Sequence, residues 1–381
     1  MWRRLRLYAV VVMAAATTLL TSYIKDSFLR RGKSYRRPAM TSTLFGANHK
    51  DREDVMYDFL ENFQPKLDPN WELQYESYTR DRDFMPSTCP YGLVHRKNKS
   101  RWFESRYIDD IKMFMDKGDI KDESFKKLQS KYLLPFGYKD KNRTAVEEIF
   151  SVLPDPLVWR QGRRKCVRCA VVGTGGQLKG SRRGKEIDSH DYVFRLNHAL
   201  VGSWYVRDVG NKTSFYIFFP ESGHVQHVIK SDPILVYIPF KDWDLAWMAG
   251  WLIRKKVPPP QCWIDKEPDC RKYGYPGEPK LVRPERLRLA HPDFLRYVFC
   301  NYLNATGQRP TTGVFTAFMA VHMCDQVSLY GFGFDPRYPM HYYDQDIFTE
   351  PRENDTAHNF GNERALWRIL DRENIVRWVR R

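Results

Sequence analysis

The sequence predicts a single α/β domain, a mostly parallel sheet with helices on both faces. Three observations predict it. The apolar run Cys169-Ala-Val-Val ends in the turn Gly173-Thr174-Gly175-Gly176. A second strand signal at Tyr192-Val-Phe-Arg-Leu-Asn197 ends on a polar residue. Further on, the apolar helical run Val314–Met323 is followed by Gln326-Val-Ser-Leu-Tyr-Gly331-Phe-Gly333, which reads as a strand closing in a tight glycine turn. Strands alternating with helices argue for a parallel sheet whose ligands sit outside the carboxyl ends of the strands. Glycine lets backbone N–H groups approach an anion with no Cβ in the way. A helix starting near Gln177 would add its own unpaired N–H groups.

The chain has 381 residues and a formal net charge of +16, which favours acidic partners. Nucleic acid is the rival on charge alone. However, the basic residues are dispersed, and no zinc-finger, RNA-recognition or basic-helix motif is present. A nicotinamide cofactor is disfavoured, because Gly173-Thr-Gly175-Gly176-Gln-Leu lacks the last glycine of the dinucleotide fingerprint.

From the start of the chain, Arg3, Arg4 and Arg6 precede Leu7–Ile24, an uncharged stretch of 18 residues. That is short but sufficient for a signal anchor (7–24) with a cytoplasmic tail (1–6) and a lumenal remainder. A cleaved signal peptide competes, but the apolar run continues past Ala14–Ala16. Residues 25–85 are basic, polar and proline-broken, and read as a stem, with a short amphipathic helix possible over Asp54–Phe63. Residues 86–381 would form the folded domain. Helices are expected over Leu93–Phe136, a buried strand at Ile234–Ile238, a helix after Phe240, a surface loop over Pro258–Pro279 and a helix at His291–Phe299.

The sequons at Asn98, Asn142, Asn211, Asn304 and Asn354 fit lumenal exposure. Asn211 lies within the first glycine-rich region, and not every sequon need be used. The seven cysteines are Cys89, Cys166, Cys169, Cys262, Cys270, Cys300 and Cys324. Cys166-x-x-Cys169 lacks a second C-x-x-C at ligand spacing, so structural zinc is not expected. Disulfides with one thiol left over are.

Thr311 or Thr312 can cap the helix that begins near Gly313, and its N-terminus can hold an anion. Taken alone, this cap and the first glycine turn are equally ordinary structural devices. Four stretches in order say more. They are Cys169–Tyr216, Pro310–Gly333, His341-Tyr342-Tyr343-Asp344, and His358-Asn-Phe-Gly-Asn-Glu363. Together they resemble the large, small, third and very small motifs of the animal sialyltransferases, glycosyltransferase family 29. The resemblance covers roughly residues 85–381.

That resemblance implies a Rossmann-like fold, a GT-A-like variant. It implies transfer of sialic acid from the donor CMP-sialic acid to a glycan hydroxyl, by single displacement with inversion and with no metal or other cofactor. It implies His358 as the catalytic base and donor binding by Thr174, Gly175, Asn197, Thr311, Thr312, Gly313, Gly333, His341 and Tyr342. The family usually places asparagine where this chain has Thr174. The resemblance also implies a Cys169–Cys324 disulfide, and a Cys89–Cys166 bridge is expected beside it. Glu363 and His322 are read as structural. Residues such as Phe136-Gly137 and Cys324-Asp-Gln-Val lean toward the enzymes making α2,6 links to GalNAc of O-linked glycans. Others, such as Pro220-Glu-Ser and Tyr330-Gly-Phe-Gly-Phe, lean toward the α2,3 enzymes acting on galactose. The α2,6 reading is preferred, with a glycoprotein acceptor in the Golgi lumen and no nucleic-acid partner. A catalytically inactive glycan-binding relative is the non-enzyme alternative.

Overall fold

A computed structural model describes residues 78–154 apart from 131 and 142, 166–260 apart from 203, 264, 283–345 apart from 334 and 336, and 358–381. The expected anchor, most of the stem, the 54–63 helix, most of the 258–279 loop, Cys262, Cys270, Asn142 and Asn354 lie outside these residues. No described helix is long and apolar enough to cross a membrane.

Seven strands form one sheet: β1 Arg168–Val172, β2 Tyr192–Leu196, β3 Phe215–Phe218, β4 Ile234–Tyr237, β5 Leu287–Leu289, β6 Gln326–Tyr330 and β7 Arg377–Val379. Their order is β5-β4-β3-β2-β1-β6-β7, and every pairing is parallel. The order reverses between β1 and β6. This is the switch point, where open α/β sheets place their ligands.

The longer helices are α1 Asp122–Gln129, α2 Arg143–Val152, α3 Asp242–Leu252, α4 Pro292–Leu303, α5 Thr312–Met323 and α6 Phe360–Arg372. Side chains alternate along each strand, so the sheet has two apolar faces. Cys169, Val171, Phe194, Leu196, Ile217 and Val236 pack under α4, α5 and α6. On the other face, Tyr216, Phe218, Leu235 and Tyr237 meet α1, α2 and α3. Sandwiched helices lose their polar face. All residues of α5 are buried, which is why its sequence is apolar throughout rather than periodic. His322 of α5 is buried and stacks on Tyr107 with centroids 4.7 Å apart, in keeping with a structural role.

Two disulfides fasten this layer. Cys169 at the start of β1 joins Cys324 at the end of α5, and Cys89 joins Cys166 just before β1. Both match the expected pairs. Cys300 is a free, buried thiol, which burial pushes up to about 12.

Three details differ from expectation. Tyr78 is buried, and Thr79 donates its N–H and hydroxyl to Asp293, each at 2.7 Å. Packing therefore begins ahead of the expected boundary at 85–86. Within 93–136 the helices are mostly single turns, Leu93–Arg96 and Arg101–Glu104, and only α1 is longer. The segment near Gln177 is one 3₁₀ turn, Gly176–Leu178, and the first α-helix after β1 is the short Gly184–Asp188. The Gln177 side chain turns inward and donates to two carbonyls of the β6 turn.

Candidate active site at the carboxyl edge of the sheet

The two glycine turns interlock. Gly173 donates its N–H to the Tyr330 carbonyl at 2.8 Å, and Gly175 donates to Gly331 O at 3.1 Å. Gln177 Nε2 donates to Phe332 O at 2.9 Å and Gly333 O at 3.0 Å. The glycines of the first turn are required by close approach, not by unusual torsion. A Cβ on Gly173 or Gly175 would stand 2.7 or 2.6 Å from Gly331 O, while Gly175 has φ −58°. A Cβ on Gly176 would overlap Pro339 O. In the second turn, Gly331 and Gly333 do need positive φ, 70° and 73°. The expectation that the first turn offers its amides to an anion is therefore corrected for Gly173 and Gly175, whose N–H groups are spent on the neighbouring turn.

His341–Asp344 lies across this pair. Gly175 and His341 form an antiparallel bridge, and Tyr342 donates its N–H to Thr174 O at 2.9 Å. His341 Nδ1 meets Asp344 Oδ2 at 2.6 Å, and its ring stacks on Tyr343 with centroids 5.1 Å apart. Tyr342 is buried and donates its hydroxyl to Leu200 O at 2.6 Å, so it anchors the segment after β2. Burial holds its phenol well above the usual range.

At the end of β2, Asn197 has a left-handed backbone, φ 51°, which asparagine tolerates better than most residues. Its N–H donates to Ile217 O at 3.1 Å, and its carbonyl accepts from the Tyr216 hydroxyl. Asn197 Oδ1 is buried without a hydrogen-bond partner among the described residues. Two residues earlier, Arg195 is fully buried. It donates Nη2 to Val209 O at 2.7 Å and Nε to Lys212 O and Thr213 Oγ1 at 3.1 and 3.2 Å. Burial lowers it to about 10, and its Nη1 has no hydrogen-bond partner among the described residues. A cation thus sits in the sheet near the switch point.

The tail supplies the last wall. Asn359 caps α6 by accepting from Asn362 N–H at 3.0 Å. Three tail side chains then hold the segment leading into α5. His358 Nδ1 contacts Arg309 O at 2.9 Å, Asn362 Nδ2 donates to Thr306 Oγ1 at 2.6 Å, and Glu363 accepts from Thr311. A carbonyl partner requires Nδ1 to carry the proton, which leaves the basic lone pair of a neutral ring on Nε2. Thr311 also caps α5, accepting from Val314 N–H at 3.4 Å. Its N–H, its hydroxyl proton and a lone pair are all committed within the protein. Thr312 is buried, and its carbonyl accepts from Thr316. A Cβ on Gly313 would stand 3.2 Å from Phe332, so the head of α5 adjoins the second glycine turn. Gly333 packs its backbone against Trp378.

The expected donor-binding residues and the expected base lie in the turns after β1, β2 and β6, in the 341–344 segment and at the heads of α5 and α6. Thr174, Gly175, His341 and Tyr342 cluster at the switch point, with Asn197 at the end of the adjacent β2. Thr311, Thr312 and Gly313 stand at the head of α5 next to Phe332 of the second glycine turn, and His358 contacts the Arg309 carbonyl just before that helix. Sequence reasoning missed Gln177, Arg195 and Asn362, although all three lie inside the quoted motifs. It also missed an imidazole group. His198 meets His224 with centroids 3.6 Å apart, and His224 stacks on His227 at 5.6 Å. Burial, with the charges of His198 and His227, pushes His224 down to about 4. No group of three or more His, Cys, Asp or Glu among the described residues could hold a metal ion.

Comparison with known proteins places this geometry. The pattern of glycosyltransferase family 29 (sialyltransferase) matches residues 114–375. The chain is 31% identical over 349 residues to α-N-acetylgalactosaminide α-2,6-sialyltransferase 1 of Mus musculus, covering 82% of this chain and 63% of that protein. The match to the Homo sapiens counterpart is also 31%, covering 83% and 56%. The chain therefore spans about six tenths of the length of these relatives. It is 34% identical over 268 residues to CMP-N-acetylneuraminate-β-galactosamide-α-2,3-sialyltransferase 1 of Gallus gallus, covering 68% of this chain and 70% of that protein. Among solved structures it resembles a mammalian sialyltransferase with a TM-score of 0.61 and 27% identity, covering 78% of this chain and 99% of the other. The same enzyme class in complex with Gal-β-1-3GalNAc-ortho-nitrophenol aligns with a TM-score of 0.59, covering 77% and 99%.

Proposed function

The chain belongs to glycosyltransferase family 29, the sialyltransferases, and from that premise we propose that it moves N-acetylneuraminic acid from CMP-sialic acid to GalNAc of O-linked glycans in α2,6 linkage. The observation that carries the mechanism is the contact of His358 Nδ1 with Arg309 O at 2.9 Å. It orients the ring with Nε2 as the base, beside the head of α5.

In the proposed reaction the acceptor oxygen attacks the anomeric carbon as Nε2 takes its proton. The bond from that carbon to the phosphate oxygen breaks on the opposite side. The electron pair leaves with CMP, and configuration inverts. Negative charge grows on the phosphate, so stabilisation belongs where that charge develops. The His341 ring, held by Asp344 at 2.6 Å and bridged through its backbone to Gly175, stands at the switch point where the donor is proposed to lie, with Asn197 at the end of the adjacent β2. The proposal includes no metal and no cofactor. Asparagine's paired amide donor and acceptor are absent at Thr174, where the hydroxyl and backbone would serve instead.

A second reading, α2,3 transfer to galactose of Gal-β-1,3-GalNAc, is favoured by the 34% identity to the Gallus gallus protein. Residues 7–24 are proposed as the anchor of a single-pass protein of the Golgi membrane with the catalytic domain in the lumen. The test is incubation of the full chain with CMP-sialic acid and asialo-mucin, followed by linkage-resolved glycan analysis. An α2,6-GalNAc product supports the first reading, an α2,3-Gal product selects the second, and no transfer rejects both.

A further inference from the structure

His198 directly follows Asn197, and its ring faces that of His224, with centroids 3.6 Å apart and the planes at 72°. Tyr216 of β3 fixes both backbones: its hydroxyl accepts from the His224 N–H at 2.8 Å and donates to the Asn197 carbonyl. The Tyr343 ring lies 6.5 Å from His198 and stacks on His341, so the pair adjoins the segment bridged to Gly175. His198 is exposed and His224 half-buried, which leaves the pair open to a ligand. The nearby carboxylates are engaged elsewhere. Glu221 meets Lys241 Nζ at 2.6 Å, and Asp344 meets His341 at 2.6 Å. The other groups facing the pair are the His227 ring and Gln226, whose amide contacts His224 Nδ1 at 3.4 Å. Neither His198 nor His224 has an ion pair among the described residues. Loss of solvent, and then charge on the neighbouring rings, holds both below the ordinary imidazole range. A His198 ring nitrogen donates to the Glu221 backbone carbonyl. In the neutral ring the other nitrogen is then a lone pair, which repels an anion. In the protonated ring it becomes a second N–H, a charge-assisted donor suited to a phosphate or carboxylate oxygen. Two imidazoles this close resist carrying charge until an anion arrives to offset it.

We propose that His198 and His224 form an anion subsite for the donor and that the pair takes up a proton as the subsite fills. The inference rests on the transfer reading above, which puts an anionic donor at this edge of the sheet. The anionic oxygen belongs either to the phosphate of the donor or to the carboxylate of its sugar. The chemistry recognised is the same. Donor affinity then weakens as pH rises, because the proton that accompanies binding becomes harder to supply.

The test titrates the full chain with cytidine, CMP and CMP-sialic acid by calorimetry. Each titration is run at about pH 6 and about pH 8, in buffers of different ionisation enthalpy, so that protons taken up are counted. Transfer is measured in parallel. Wild type is expected to take up more protons than His198→Gln or His224→Gln on binding a nucleotide that carries the anion, and cytidine should show no such difference. A difference already present with CMP names the phosphate, and one seen only with CMP-sialic acid names the carboxylate. The wild-type Kd should rise by about threefold or more between the two pH values relative to either glutamine variant. His198→Lys supplies a fixed charge, so at the higher pH it should bind the same nucleotide more tightly than wild type. A merely structural histidine would not give that gain. Transfer with the same pH dependence of donor KM in wild type and both glutamine variants, and no gain in His198→Lys, overturns the subsite alone. Histidine-dependent proton uptake without transfer to any acceptor upholds the subsite and overturns the transfer reading. No binding of either nucleotide overturns both.

Discussion

Glu363 near the start of α6 accepts two hydrogen bonds from Thr311 at the head of α5, one from the backbone N–H and one from the hydroxyl, each at 2.7 Å. The carboxyl group is only 6% exposed. It joins two segments more than fifty residues apart and, with Asn362 and His358, sets the position of the segment from Thr306 to Thr311.

Burial pushes Glu363 up to about 7 from its ordinary 4.5, with the Thr311 hydrogen bonds opposing part of the rise. Between those values the unfolded chain has released a proton that the folded chain retains. The native state then binds more protons, so stability falls as pH rises through this window. The stabilisation is complete below about 4.5 and lost above about 7, a swing of roughly 3 kcal/mol by the linkage constant. Glu363→Gln, which keeps an acceptor for Thr311, is expected to flatten this slope. Urea midpoints at pH 5 and pH 8 check it, and an equal slope in both proteins would refute the assignment.

His358→Ala should lower kcat by about 10²–10⁴, the range for loss of general-base help. Donor KM and the urea midpoint should change little, because the ring is half-buried and its described polar bond is to the Arg309 carbonyl. His358→Gln removes the base but keeps a donor for Arg309 O. It should be as inactive as the alanine variant. Wild-type turnover in either variant would show that proton removal lies elsewhere.

The fold was legible where burial forces a pattern. β1, β2, β4 and β6 are apolar runs because both faces of the sheet are covered, and each appears in the sequence. β5 and β7 have only three residues each, too few for a period to show. The candidate site was legible as motifs but not as bonds. His358, Asn362 and Glu363 look like a histidine with a nearby acid, a pattern cheap by chance. Their meaning depends on Arg309, Thr306 and Thr311, about fifty residues away in the chain. The first turn's glycines suggested an anion-holding loop, whereas the nearest reason for them is the backbone of Gly331 and Pro339. No local sequence signal reports a partner that arrives from a distant strand.

The Cys169–Cys324 disulfide closes a loop of 155 residues that contains β2 to β5 and the three long helices α3, α4 and α5. Replacing both cysteines with serine should cost about 2–5 kcal/mol, by freeing the unfolded chain. Cys89–Cys166 closes only 77 residues and fastens the N-terminal segment. Loop length enters logarithmically, so chain entropy alone separates the two by less than about 1 kcal/mol. Activity separates them better. The first pair holds the strand that carries Gly173–Gly176, so its loss should lower kcat. Loss of the second should lower thermal stability with less effect on turnover. Equal losses of turnover would contradict this.

Glycine-to-alanine substitutions distinguish packing from ligand approach. At Gly176 a methyl group would overlap the Pro339 carbonyl, which is backbone and cannot swing aside. Gly176→Ala should therefore displace the segment that bridges His341 to Gly175, costing about 1–3 kcal/mol as overpacking does. Stability and activity should fall together. At Gly313 the nearest atoms are the Phe332 ring at 3.2 Å and Thr311 Oγ1 at 3.3 Å, and the site is the second residue of α5. Alanine favours a helix by up to about 1 kcal/mol over glycine, which offsets the tight contact. Gly313→Ala should thus keep its melting temperature within a few degrees. If the donor approaches the backbone there, its KM should rise severalfold while acceptor KM stays constant. Unchanged donor KM in a folded Gly313→Ala protein would remove Gly313 from the donor site and leave it a helix-packing residue.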